Sequence, residues 1–339
     1  MTAVTDLSLA PRVPRASFYG DQFSPSTGAQ TRVNASTFQV FKQCPRKYLY
    51  GVLLAQGKGE DNPDLRFGTL VHAAKAVFEH NRARGMSHDE ALQGAFRYLL
   101  HETWNHALAK PGFADDPLKN RTTLLRTFVW YVDQYRDDAC ETARLPSGKP
   151  AVEIGFEFDS GCVGLGGEQI TFVGTLDRIV RFNGATFVAD TKTSASARFL
   201  TAQNYTPDGQ FSLYVAAASV CFGIEADGIL LDGIAVGPNS TEFRREIVPR
   251  PRGVIEEWLR DQRVWLRGLT EAFAANSWPQ NDAACGLYGG CRFRGVCGAT
   301  PELRADTLAR LNGPPPIAAS GAAAPTFAPT PAPTPEVPA

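Results

Sequence analysis

The chain lacks an overall charge. Its 34 Lys and Arg against 35 Asp and Glu leave a formal −1 at pH 7, so no global field draws it to a polyanion. Any contact with nucleic acid must then come from local groups such as Arg244, Arg245, Arg250 and Arg252. Long apolar runs are missing too. Stretches such as 214–224 are too short and interrupted to cross a bilayer, and no basic-then-apolar leader opens the sequence. The expectation is a cytoplasmic protein with no membrane role. There is no Gly-x-x-x-x-Gly-Lys-Ser/Thr loop, which leaves any ATP-driven movement to a partner. No internal repeat is evident, and none of the seven cysteines form Cys-x-x-Cys knuckles.

What is present suffices for a substantial core: 339 residues, 43% of them hydrophobic. Residues 1–30 are rich in Pro, Ser, Thr and Gly without a sustained period, and 312–339 form a Pro/Ala/Thr tract. Both ends are expected to be disordered, around a single folded domain over 31–311. Asn34 or Ser36 can cap a helix to Cys44, where Pro45 opens the next turn. Helical periodicity follows over 68–84, over a Ser87-capped stretch to 108 and over 117–142, making 31–145 a helical lobe.

The period then changes. Residues 151–158 alternate like a strand, 172–192 read as a hairpin, 207–222 as a helix, and 228–236 and 243–248 as strands. A last helix over 253–275 has apolar positions at Val254, Trp258, Trp265, Leu269 and Phe273. The expected fold class is α/β: a central mixed sheet flanked by helices over 150–275, between the helical lobe and a cysteine-rich segment over 276–311.

Asn183-Gly184 marks the hairpin turn, because both residues accept the positive φ of a two-residue loop. Each arm carries a carboxylate at what reads as a strand end, Asp177 among apolar residues and Asp190 ahead of Thr191-Lys192. A carboxylate in a buried strand is costly unless it is paired, metal-bound or at a strand end, so both need a reason. Lys192 lies two residues beyond Asp190, which puts a cation on the same side of the strand as the anion. Alone, Asp-x-Lys also describes a solvated strand face. Glu153, in the alternating 151–158 segment, can hold a metal or water or belong to a polar face, and Glu157 is open to the same reading.

Cys285, Cys291 and Cys297 cluster in Cys-Gly-Leu-Tyr-Gly-Gly-Cys-Arg-Phe-Arg-Gly-Val-Cys, and in a reducing compartment such a set suggests a metal centre rather than disulfides. Cys140, Cys162 and Cys221 are scattered and read as small core residues.

These pieces, in their order, resemble the PD-(D/E)XK nuclease superfamily and in particular its RecB-like branch, which includes the AddB C-terminal nuclease and the CRISPR-associated RecB-like exonucleases. His72 in Phe-Gly-Thr-Leu-Val-His resembles the branch's helical metal-binding histidine, and Asp177 in Gly-Thr-Leu-Asp-Arg-Ile its aspartate motif. Asp190-Thr191-Lys192 stands for the (D/E)-x-K motif, and Gln210 to Tyr214 for its Gln-x-x-x-Tyr helix. The resemblance implies a restriction-endonuclease-like fold and a metal-dependent deoxyribonuclease, an exonuclease acting on single-stranded DNA or DNA ends in repair, recombination, phage replication or CRISPR adaptation. His72, Asp177, Asp190 and the Thr191 carbonyl, with Glu153 as a further candidate, would hold Mg²⁺ or Mn²⁺, and Lys192 would orient water or stabilise phosphoryl charge. Gln210 and Tyr214 would touch the active-site strand or the nucleic-acid backbone, or simply pack a helix on the sheet.

Cys-Pro-Arg-Lys-Tyr-Leu-Tyr around Cys44 resembles the segment that carries the first cluster cysteine of the branch's iron-sulfur members. The resemblance thus implies a [4Fe–4S] cluster on Cys44, Cys285, Cys291 and Cys297, with Zn²⁺ as the alternative. The chain has five residues between Cys285 and Cys291 where that branch commonly has two. A reading from another class is a non-cleaving nucleic-acid-binding module tethered to a helicase or replication partner. A third, a zinc-stapled structural protein, makes the four motif residues coincidental.

Overall fold

The computed structural model describes residues 20–54, 62–105, 108, 110–113, 116–237 and 240–311. The first part of the chain gives β1 (Arg32–Val33), α1 (Ala35–Gln43), α2 (Pro45–Tyr48), a π-helical turn (Leu49–Leu53), α3 (Pro63–Ala83) and α4 (His88–Glu102). A small hairpin of β2 (Trp104–Asn105) and β3 (Lys110–Pro111) precedes α5 (Arg121–Gln134) and β4 (Glu141–Thr142). The long strands follow: β5 (Val152–Val163), β6 (Gln169–Phe182) and β7 (Ala185–Ser194). Then come α6 (Gly209–Phe222), β8 (Gly228–Val236), β9 (Thr241–Pro249), α7 (Arg252–Ala275), α8 (Arg294–Gly298) and α9 (Arg304–Leu311).

Seven strands form one mixed sheet along the path β1-β6-β7-β8-β9, with β4 and β5 on the other edge of β6. The β1–β6 and β7–β8 pairs are parallel and the others antiparallel. On one face Phe38 and Phe41 of α1, Phe211 and Val215 of α6 and Leu266 and Leu269 of α7 share a core with Phe172, Leu176, Val188 and Leu231. On the other face Phe67 and Val71 of α3, Leu99 of α4 and Leu124 and Phe128 of α5 meet Ile234 and Val236. Strand β8 is buried along its whole length, which accounts for its nearly unbroken apolar sequence. This is the expected α/β class, with the N-terminal third split between both helical layers because α1 packs opposite α3–α5.

The Asn183-Gly184 turn behaves as read, with φ of 52° and 82°. It fixes the register Phe182↔Ala185 through Arg178↔Ala189 and would set Asp177 opposite Asp190. Pairing stops there instead. Beyond it β6 takes β1 as neighbour at Thr171 and Phe172, while β7 continues along β8 through Ser194. The two carboxylates therefore stand at a fork in mid-strand rather than at strand ends.

Several boundaries differ from the periodicity. Residues 20–30, expected to belong to a disordered end, hold a bridge between Phe23 and Gln30, and Gln30 is 2% exposed because it takes the Tyr48 hydroxyl at 2.8 Å. The remaining end segments, 1–19 and 312–339, lie outside the described residues. Helix α3 begins at Pro63, capped by Asn62, because an exposed first turn has no apolar stripe to reveal it. Helix α4 stops at Glu102 and α5 runs only from Arg121 to Gln134, capped by Asn120, so Thr142 belongs to β4. In α7 the buried face is Ile255, Gln262, Leu266, Leu269 and Ala272, while Val254 and Trp265 are exposed. Trp258, Leu269 and Phe273 do pack against the core, and the Lys42 ammonium, which donates to Gln262 Oε1 at 3.2 Å, gives that buried polar residue a partner. No described helix is long and apolar enough to cross a membrane.

Two glycines make opposite predictions. Gly228 opens β8 at φ 156°, and a Cβ there would stand 2.3 Å from the Val248 carbonyl oxygen. Gly228→Ala is expected to destabilise the protein by about 2 kcal/mol or more. Gly268 sits inside α7 with nothing within 4 Å of such a Cβ, so Gly268→Ala should stabilise it by about 0.5–1 kcal/mol. Urea unfolding midpoints check both signs.

Candidate active site

Helix α3 brings His72 to the fork, where its Nδ1 lies 2.9 Å from Asp177 Oδ2. The same carboxylate oxygen accepts the Thr191 backbone N–H at 3.0 Å, replacing the strand partner lost when β6 and β7 diverge. Glu153 enters from β5 at φ 47°, a sparsely populated conformation for a non-glycine residue. Donor atoms of His72, Glu153 and Asp177 all lie within 4.8 Å of one another, the one such set of His, Cys, Asp and Glu among the described residues. Glu157, by contrast, is turned away to Arg32 and Thr171.

Charge in this set is shared. Burial pushes the Glu153 carboxyl up to about 7, with the charge of Asp177 adding to it. Asp177 goes the other way: burial raises it, but the His72 hydrogen bond and charge and the Thr191 N–H outweigh that and hold it below the ordinary range. His72 is raised, since its burial is outweighed by Asp177.

Asp190 and Lys192 form a second group on the α6 side of the sheet. Asp190 is 1% exposed, and its Oδ2 lies 2.7 Å from Lys192 Nζ with no further hydrogen bond. Burial raises the Asp190 carboxyl against the pull of the ammonium, while Lys192 is raised because Asp190 outweighs its own burial. Lys192 Nζ donates to Gln210 Oε1 at 3.1 Å, and Gln210 Nε2 donates to the Tyr214 hydroxyl at 2.7 Å. Burial pushes that phenol up to about 12. Of the sequence alternatives for Gln210 and Tyr214, the fold shows contact with the lysine of the active-site strand. Asp190 is not in the close set with His72, yet Thr191 joins the two groups.

Both groups open on a cleft of about 680 Å³ lined by Gly68, His72, Glu153, Thr191, Lys192 and Thr193. Of the arginines singled out from sequence, Arg245 and Arg250 are engaged inside the fold, while Arg244 and Arg252 stay at the surface with ion-pair partners on their own strand or helix. Arg250 is 3% exposed and donates to the Tyr205 and Pro249 carbonyls and to Ser212. Arg245 is held by Asp138 and Asp232, Arg252 by Glu256 at 2.8 Å, and Arg244 by Glu246 at 3.4 Å. Sequence reasoning missed a buried polar cluster behind Thr191, made of Lys75, Tyr131, Asp232 and Arg245. A signal existed: Asp232 interrupts Gly-Ile-Leu-Leu-Asp-Gly-Ile-Ala-Val, the same oddity that singled out Asp177 and Asp190.

The four cysteines do converge. Cys44, Cys285, Cys291 and Cys297 line one small pocket with Asn281, Phe293 and Arg294. Asn281 donates its N–H to Cys44 Sγ at 3.3 Å and its side-chain amide to the Gln43 carbonyl at 2.8 Å, while Arg46 N–H reaches the Pro279 carbonyl at 3.1 Å. Tyr48 stacks on Trp278. The longer loop after Cys285 is turned back by Gly289 and Gly290, both at positive φ, so that Cys291 N–H reaches the Cys285 carbonyl at 2.9 Å. Burial pushes the Cys297 thiol up, and the other three thiols add to it. No three of the thiols come within 4.8 Å of one another. Cys140, Cys162 and Cys221 are partly buried against the core, as expected.

A mixed sheet between two helical layers, with its central hairpin forked around carboxylates and a lysine, defines a restriction-endonuclease-like fold. The model of the PD-(D/E)XK nuclease superfamily matches residues 32–298, and the chain belongs to that superfamily. Among solved structures, the chain is similar to a Eubacterium rectale protein named "Putative exonuclease", at 11% identity and a TM-score of 0.44 over 76% of this chain and 86% of that one. It is also similar to a protein named SSO0001, at 17% identity and a TM-score of 0.26 over 52% of this chain and 71% of that one. No curated protein matches it.

Removing the Lys192 ammonium would leave Asp190 buried without its counter-charge. Lys192→Met should cost about 3 kcal/mol of stability in mildly alkaline solution and less in mild acid. The sign follows from Asp190: burial already raises its carboxyl, and without the lysine it takes up a proton more readily as pH falls. Urea unfolding at the two pH values is the check.

Proposed function

We propose that the protein is a metal-dependent nuclease hydrolysing DNA phosphodiester bonds, a RecB-like exonuclease acting on single strands or exposed ends. The observation that supports this most is the convergence of His72, Glu153 and Asp177 within 4.8 Å at the fork of β6 and β7. Asp190 and Lys192 stand on the adjoining strand, and Lys192 lines the same open cleft. One imidazole and two carboxylates suit Mn²⁺ as well as Mg²⁺, and Asp190 and the Thr191 carbonyl are further oxygen donors on the strand beside them. Such an ion, when bound, polarises a phosphoryl oxygen and lowers the pKa of a water ligand.

The chain's own groups do the rest. Asp177 holds His72 by one oxygen and the Thr191 peptide by the same oxygen, so imidazole and strand keep one orientation. Lys192 carries a full positive charge at neutral pH, because Asp190 holds the proton on it, and it can orient water or stabilise charge building on phosphate. Gln210 and Tyr214 hold that ammonium in place.

For the cysteines we favour a [4Fe–4S] cluster. An all-thiol donor set suits iron-sulfur or zinc. The resemblance of the Cys44 segment to that of the iron-sulfur members favours the cluster, and the set lacks the Cys-x-x-Cys knuckles of many zinc sites. Such a centre would tie the α1–α2 junction to the segment after α7.

Incubating labelled DNA with Mg²⁺ or Mn²⁺ tests the site. Asp190→Ala and Lys192→Ala should each cut at least about a hundredfold more slowly. No cleavage by the wild type with either metal, or undiminished cleavage by both variants, would sink the reading. Mn²⁺ affinity should rise as pH passes upward through about 7, where Glu153 loses its proton and the raised His72 imidazole becomes neutral; Glu153→Gln should remove the part due to Glu153 and leave the part due to His72. Spin-resonance titrations of Mn²⁺ in mild acid and mild base measure it. Wild-type protein should be brown, with broad absorbance near about 400 nm. Cys291→Ala should lose that colour and unfold more readily, whereas a variant equal in both would overturn the cluster.

A further inference from the structure

Lys75 stands one turn beyond His72 on α3 and is 9% exposed. A buried ammonium is costly unless it is paired, and this one is paired on three sides. Its Nζ donates to Thr191 Oγ1 at 2.6 Å and to Asp232 Oδ2 at 2.5 Å, and it lies 4.4 Å from the centre of the Tyr131 ring. Thr191 and Asp232 are register partners in the β7–β8 pair, so one cation bridges α3 to two neighbouring strands at a single level of the sheet. Asp232, 1% exposed, also accepts the Tyr131 hydroxyl and Arg245 Nε, the latter at 3.2 Å.

Thr191 is thereby held twice, its N–H by Asp177 and its hydroxyl by Lys75. Those two contacts join the helix that carries His72 to the strand that carries Asp190 and Lys192. Lys75 does not line the open cleft. It borders a recess between α3 and the sheet, shared with His72, Glu153, Asp177 and Thr191 and with room for about one water. It cannot, from there, meet a polynucleotide.

We infer that Lys75 and Asp232 are positioning residues of the proposed metal site, locking α3 against β7 so that His72 and the Thr191 peptide converge on one point. The inference rests on the nuclease reading above and adds to it a support no motif marks. A salt bridge that only stabilised the fold would change unfolding and nothing else. A positioning pair also changes metal affinity and turnover in protein that remains folded.

Thr191→Val removes the hydroxyl that takes Lys75 and leaves the Lys75–Asp232 pair intact. It should stay folded and melt only a few degrees below the wild type, since Lys75 keeps Asp232 while losing one acceptor. It should bind Mn²⁺ about 10–100-fold more weakly, with kcat on single-stranded DNA falling in parallel and KM within about twofold. Lys75→Met should show the same loss of Mn²⁺ affinity with lower stability, because Asp232 loses one of its buried cations. Wild-type Mn²⁺ affinity in folded Thr191→Val or Lys75→Met overturns the inference alone. A wild type that neither binds Mn²⁺ nor cuts overturns the nuclease reading and this inference with it.

Discussion

Everything at the candidate site depends on where β7 lets go of β6. A two-residue turn sets the register, and an antiparallel pair extended one step further would have buried Asp177 and Asp190 face to face. Like charges in that position repel, and neither strand could satisfy both carboxylates from its own backbone. By parting at Ala189, the strands let Asp177 accept a peptide N–H that would otherwise be orphaned, and leave Asp190 free to pair with Lys192 on the opposite side. The fork thus meets two requirements at once: backbone hydrogen bonds are kept, and like charges are separated.

The parting also opens the sheet to what lies on either face. α3 covers one side and α6 the other, and each supplies a side chain to the gap: His72 to Asp177, Gln210 to Lys192. Neither helix could reach a continuous sheet in this way. The apolar packing of Phe67 and Val71 on one face and Phe211 and Val215 on the other sets the depth of those helices, so the core fixes the reach of the polar groups.

Much of this was legible in the sequence. Asn183-Gly184 between apolar runs determined the turn, and the improbable carboxylates at 177 and 190 pointed to a candidate site because burial makes an unexplained charge visible. The fork itself was not legible, since nothing local tells a strand to change neighbours; that depends on β1, placed by residues some 140 positions away in sequence. Two of the four arginines misled for a related reason. Their number in 244–252 reads as a basic patch, but Arg245 and Arg250 point inward to partners from distant elements. Glu153 was ambiguous because alternation assigns a face only to regular strand, and its positive φ breaks that alternation.

The cysteine segment poses the remaining question of what the proposed long-range staple would add. The described residues after α7, 276–311, form short helices and turns, with few buried side chains beyond Trp278, Phe293, Val296 and Leu308. Such a segment gains little from apolar burial of its own, and its attachment rests on Tyr48 against Trp278, Tyr50 against Phe293 and a few hydrogen bonds to residues 43–46. A centre held by Cys44 and the three later thiols would close a loop of more than two hundred residues, where a cross-link removes the most freedom from the unfolded chain. Because α1 begins immediately after β1, and β1 is the strand that takes β6 beyond the fork, the staple and the fork lie on one continuous piece of chain. Loosening such a staple would therefore weaken the constraint that holds the fork open.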